Sequence, residues 1–359
     1  MNQTKTKRFP LSKILQLLAP LVTGISLFFP PSTNAQAIYR WVDKGGTVHY
    51  SHQPPQDGAH SSFNDAPPKE REQQSSPAQV NDRQPVPFGR GLLWKIESGP
   101  SQTDRVVPSY ILGTMHSEDP RVLRLPVAVQ QALRSSDNFC MELVADERAT
   151  TTLAQRMVYT NGQTLRAVVG EQLFRQLMPL MGERGVPAQA LTLLKPWAVY
   201  MTLSMPQKQT GMFLDLQLYE TAKQQGKSIC GLETAEEQVS VFEKTPVEDQ
   251  VVLLREIVKN PPMLDKQIER MTAKYLARDL AGLLALSQEL TPTTPQEQQS
   301  TEEFLRRLIE ERNRRMVERM LPKLRQGSTF IAVGALHLPG PSGILQLLAN
   351  RGYSVVNVY

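Results

Sequence analysis

The sequence predicts an α/β domain over residues 89–359, with a mixed central sheet completed by both ends of that region and a large helical insertion between them. Three observations carry this expectation. Apolar, β-branched runs open the region ("GLLWKIE", "SYILGTMH"), and a strand–helix–strand pattern closes it ("STFIAVGALH", "GPSGILQLLANR", "YSVVNVY"). Between them, apolar residues recur mainly at helical spacing.

Taken in order, the first two runs are strands joined by the polar turn "SGPSQTD". "LPVAVQQALRSS" is a short helix with Pro126 near its first turn. "NFCMELV" is a third strand. Helical spacing then runs from about 148 to 226, broken at Pro187, Pro196 and Pro206. "KSICGLE" adds a strand, and helices continue to about 326. The last of these, "TEEFLRRLIEERNRRMVERMLPKL", is strongly amphipathic.

Ahead of this domain, residues 1–37 have a basic start, the apolar run "ILQLLAPLVTGISLFF", and small residues at Ala35 and Ala37 that fit a cleavage site. They predict an export signal, which places the mature protein in the periplasm or outside the cell. The alternative is an uncleaved N-terminal membrane anchor. The run is near the lower length limit for a span and contains Pro20 and Gly24. Residues 38–53 predict a small β-hairpin turning at Asp43–Gly46. Residues 54–88, rich in Pro, Gln, Ser and charge, predict a disordered linker. His49 and His52 lie on the hairpin without carboxylate or Cys ligands at metal spacing, and His60 lies in the linker.

The formal charge of +5 has a local source. Four of the 40 basic residues and none of the 35 acidic ones fall within residues 1–37. The remaining body is nearly neutral, which excludes nucleic acid as a partner, because phosphate binding needs a concentrated basic surface. The two cysteines, Cys140 and Cys230, each sit in a strand-like run. They are either one disulfide or two buried thiols, and spacing alone does not choose between these.

Chemistry concentrates at strand ends. "GTMH" (Gly113–His116) and "GALH" (Gly334–His337) share a Gly-x-x-His spacing after the two most strand-like runs. Glycine permits close backbone approach, and in open α/β sheets ligands bind beyond the carboxyl ends of strands. His116 and His337 therefore can share one rim, although a lone strand-end His is usually structural. Glu142, bracketed by Met141 and Leu143, needs a metal, Arg or His partner if buried. Otherwise it faces solvent at the strand end. Glu233 ends another strand, or else it belongs to the acidic first turn of the next helix. Arg312, within "RRLIEERNRR", is by sequence alone an exposed helix charge.

These motifs, "YILGTMHSED", "SDNFCMEL", "GKSICGLETAEEQ", "ERN…M" and "FIAVGALHLPGPSGILQLLANRGYSV", resemble the TraB/GumN family. That family is related to the Tiki proteases, membrane-associated metal-dependent peptidases that cut Wnt proteins. The hairpin likewise resembles a small domain of unknown function common at the N-termini of exported bacterial proteins. The resemblance implies a fold like the erythromycin-esterase and ChaN group, with His116, Glu142, Arg312 and His337 as site residues. The resemblance implies a Gly shortly before the Asp of a central helix; around Asp215 this chain reads "FLDLQ", with its preceding glycine at Gly211, and no function is carried to that residue.

The expected function is an exported metal-dependent hydrolase, a peptidase acting on peptide or protein. His116, Glu142 and His337 would hold a divalent ion (Mn, Co or Zn) with a position open for water. Glu233 would serve as base and Arg312 would stabilise an oxyanion or a substrate carboxylate. The alternatives are a binding protein for a small or haem-like molecule, and an assembly factor for envelope or polysaccharide machinery that docks through the hairpin.

Overall fold

A computed structural model describes residues 85–97, 107–205, 211–259, 261–288 and 302–359, together with the strand backbones of 39–42 and 48–51; of 256 and 261–265 only the backbone is described. The export-signal segment 1–37, most of the linker, the turn at 98–106, Pro206, His52 and His60 lie outside the described residues, as does the side chain of His49. Residues 29–84 and 85–359 belong to separate compact units. In the first, β1 (Tyr39–Val42) pairs antiparallel with β2 (Val48–Ser51), with Val42 opposite Val48.

The second unit is built on a six-stranded mixed sheet. Its strands are β3 (Leu93–Glu97), β4 (Ser109–Thr114), β5 (Asn138–Met141), β6 (Ser228–Gly231), β7 (Thr329–Gly334) and β8 (Ser354–Asn357), in the order β6-β5-β7-β4-β3-β8. The four strands β6, β5, β7 and β4 run parallel, whereas β3 lies antiparallel between β4 and β8. Both ends of the region thus build one sheet. Every residue of β7, "TFIAVG", is buried, as expected for a central parallel strand covered on both faces. The edge strands β6 and β8 are partly exposed.

Cys140 and Cys230 are register partners on β5 and β6 and form a disulfide, with Cα atoms 4.5 Å apart. That distance lies at the short end of the bridging range. Among the described residues no helix is long and apolar enough to cross a membrane.

The insertion is helical on both sides of β6. Pro187 caps helix Ala188–Leu193 and Pro196 opens helix Pro196–Ser204. Both prolines start helices, where a missing N–H costs nothing. Helix Pro196–Ser204 is buried along its whole length, consistent with its all-round apolar sequence.

The amphipathic segment after residue 302 holds a feature its periodicity does not announce. A π-helical turn, Arg306–Glu311, runs directly into helix Arg312–Gln326. A π turn widens the coil and shifts the phase of the helix beyond it. Arg312 and Asn313, within a highly charged stretch, are therefore buried at 2% and 0% exposure. The surface placement that sequence favours for Arg312 is corrected here.

Candidate active site at the carboxyl rim of the sheet

His116 follows the end of β4, Glu142 directly follows β5, Glu233 follows β6, and His337 closes a 3₁₀ turn, Ala335–His337, after β7. These are the carboxyl ends of four neighbouring parallel strands, where α/β folds place ligands. All four side chains are buried, as is Arg312.

The two glycines of the histidine motifs do different work. Gly113 and Thr114 pair in register with Val333 and Gly334. A Cβ on Gly113 would lie 2.8 Å from Leu338 Cδ1 and 3.1 Å from the Ala335 Cα, so glycine lets the loop after β7 seat against β4. The Gly113 carbonyl accepts from the buried Tyr275 hydroxyl at 2.8 Å. Gly334 instead donates its N–H to Glu142 Oε1 at 2.7 Å.

Two polar clusters result. In the first, His116 Nδ1 lies 3.2 Å from Asp215 Oδ2, and Thr114 donates its hydroxyl to Asp215 Oδ1 at 2.6 Å. Phe213 stacks on the His116 ring with centroids 5.3 Å apart. Asp215 sits in the first turn of helix Leu214–Gln224, where the helix dipole favours a carboxylate.

In the second cluster, Arg312 bridges two carboxylates. Its Nη2 donates to Glu142 Oε2 at 2.7 Å and to Glu233 Oε2 at 2.6 Å, and its Nε donates to Glu233 at 2.9 Å. Gln238 donates to Glu233 at 3.2 Å, and Arg315 reaches it at 3.4 Å. His337 Nε2 lies 3.6 Å from Glu142 Oε1, and Nδ1 lies 2.5 Å from Asn313 Oδ1. Burial pushes the Glu142 carboxyl up to about 7, Arg312 opposing and the Glu233 charge adding to the rise. The same two carboxylates hold the Arg312 guanidinium well above its ordinary value despite burial.

A cavity of about 190 Å³ opens on this rim, walled by His116, Glu142, Phe213, Asp215, Tyr219 and Lys223 among others. Arg312, Glu233 and His337 are not in its wall. They stand behind Glu142, which alone belongs to both cluster and cavity.

Imidazole and carboxylate are the right donor types for Mn, Co or Zn. Their arrangement does not fit a three-ligand site. Glu142 is taken up by Arg312 and the Gly334 N–H, and His116 faces Asp215. Among the described residues, no three His, Cys, Asp or Glu side chains are grouped to hold a metal ion.

Several residues sit otherwise than one of the sequence alternatives has them. Glu142 is buried and partnered, not solvent-facing. Glu233 is not in a helical first turn. Thr234 is the cap of helix Ala235–Glu243, and Glu236 and Glu237 supply the acidic turn. The structure also adds Asp215 and Asn313, which the sequence does not single out as site residues. An acid flanked by Leu214 and Leu216 is the available signal for Asp215; for Asn313, adjacency to Arg312 is the only one.

The chain belongs to the TraB/PrgY/gumN family, whose sequence model matches residues 92–357. A second match, to a domain of unknown function (DUF4124), covers residues 25–85. Among curated relatives, "Metalloprotease TIKI homolog" of Amphimedon queenslandica is 24% identical over 315 residues, covering 73% of this chain and 60% of the relative. "Metalloprotease TIKI1" of Danio rerio is 25% identical, covering 74% of this chain and 62% of its own length. "Uncharacterized protein YbaP" of Escherichia coli (strain K12) is 23% identical, covering 67% and 87%. The chain thus spans about three fifths of the length of the TIKI relatives. No solved structure gives a significant match.

Proposed function

We propose that this chain is an exported hydrolase that cleaves peptide bonds at the carboxyl rim of its sheet. The observation that carries this is the cavity wall, which sets the His116–Asp215 pair beside Glu142. The relatives described as metalloproteases support peptide hydrolysis. The apolar start of the chain supports export to the periplasm or beyond, with membrane anchorage as the competing outcome.

The chain's own residues supply these steps. Asp215, held by Thr114, orients His116 through Nδ1, which leaves Nε2 to take a proton from an attacking water. Glu142 carries a carboxyl to the same cavity, where it can pass a proton to the departing amine. Phe213 covers one face of His116 and keeps water from it.

The test is cleavage of a peptide library by purified protein, with and without added Mn²⁺, Co²⁺ or Zn²⁺, alongside metal analysis. His116→Ala and Asp215→Asn are each expected to lower kcat by at least about 10²-fold, the scale of a general base, with the fold retained by circular dichroism. Undiminished cleavage in the His116→Ala protein would refute the proposal.

A further inference from the structure

We propose that Asn313 is a positioning residue that fixes the ring proton of His337 on Nδ1 and so turns Nε2 toward Glu142. Asn313 is fully buried at the start of the helix that follows the π turn. Its amide has one possible orientation. Nδ2 donates to two backbone carbonyls, His337 O at 3.2 Å and Ser342 O at 2.8 Å. An amide oxygen in that place would face two acceptors, so the network itself assigns the nitrogen there.

Oδ1 therefore faces the ring, 2.5 Å from His337 Nδ1. An amide oxygen only accepts, so the ring proton belongs on Nδ1. Nε2, which is left without a proton in the neutral ring, lies 3.6 Å from Glu142 Oε1, beyond hydrogen-bond distance. That oxygen is in turn placed by the Gly334 N–H. One side chain thus clamps the loop after β7 by two carbonyls and sets the tautomer of the histidine at its head. His116 likewise has Nδ1 close to a side-chain oxygen, Asp215 Oδ2 at 3.2 Å. The rim therefore presents two histidines by the same ring atom, one beside a carboxyl group and the other beside an amide.

The experiment is long-range ¹H–¹⁵N NMR of the full-length, metal-free protein labelled with ¹⁵N-histidine. The chain has five histidines, and the signals lost in His337→Gln identify that ring. The expected spectrum at mildly alkaline pH has a protonated Nδ1 and an unprotonated Nε2. An Nε2–H spectrum, or an averaged mixture, would overturn the proposal in the wild-type protein alone.

Asn313→Asp keeps an acceptor at the ring and is expected to keep the tautomer, at a cost in stability because its second oxygen faces the His337 and Ser342 carbonyls. Asn313→Leu is expected to lose it, and a folded Leu variant with an unchanged spectrum also overturns the proposal. Should the Leu variant not fold, the wild-type and Asp spectra still decide. A kinetic arm rests on the hydrolase proposal. There Asn313→Leu should lose on the order of 10–100-fold, in kcat and not in KM, with partial recovery in Asn313→Asp. Absence of any wild-type cleavage counts against the hydrolase proposal, whereas the tautomer is read independently of it.

Discussion

Arg312 shows how much one side chain can carry at this rim. It is buried with two carboxylates within 2.7 Å of a single nitrogen. Burying such charges is costly, and the pairing mainly prevents a larger cost. Removing the cation alone leaves Glu142 and Glu233 buried and mutually repulsive. Arg312→Leu is therefore expected to destabilise the protein by about 3–5 kcal/mol, measured by urea unfolding. Arg312→Lys keeps the charge but not the planar fork that spans both partners, and its loss should be intermediate. A Leu variant as stable as wild type would mean that the carboxylates find water or each other without it.

At the scale of elements, helix Ala235–Glu243 begins just after Glu233. Its start is fixed by a capping box in which Thr234 accepts from the Glu237 N–H and Glu237 accepts from the Thr234 N–H. Glu237 also pairs with Arg319 at 2.7 and 2.8 Å. Partial burial raises the Glu237 carboxyl, but the Arg319 hydrogen bonds and the cap outweigh it and hold it below its ordinary 4.5. Depression in the folded state means that the stabilisation is complete above about pH 4.5 and is lost as pH falls through the folded value. Glu237→Gln preserves the cap and removes only the charge. The difference in unfolding free energy between wild type and this variant should be under about 1 kcal/mol, because the pair is half-exposed. It should be present at neutral pH and vanish on acidification below about pH 4.5. A difference that grew with acid would reverse the assigned sign.

For the molecule as a whole, residues 85–359 belong to a different compact unit from residues 29–84. A chain beginning at Pro85 is expected to unfold cooperatively at the same midpoint as one beginning at Ile38, by calorimetry. A drop of more than a few degrees would show that the hairpin region contributes to the stability of the larger unit.

Much of this unit is legible along the chain. Apolar runs at both ends mark the strands, since a buried parallel strand has to be apolar along its length. The Gly-x-x-His spacing places two histidines at strand ends, and a carboxylate within "CMELV" requires a partner once buried. Other features have no local signature. Arg312 reads as a surface charge because the π turn that rotates it inward conserves the outward look of an amphipathic helix. Asp215 meets His116 across 99 positions of sequence, and Cys140 meets Cys230 only because β5 and β6 are neighbours in register.

The sequence by itself determined which residues end the strands, and therefore which chemistry stands at the carboxyl rim, because hydrophobic periodicity and glycine placement are local properties. Tertiary structure alone decided how those groups are paired: His116 with Asp215, Glu142 and Glu233 with Arg312, His337 with Asn313. Pairing depends on strand order and helical phase, and both are settled by packing between segments far apart in the chain.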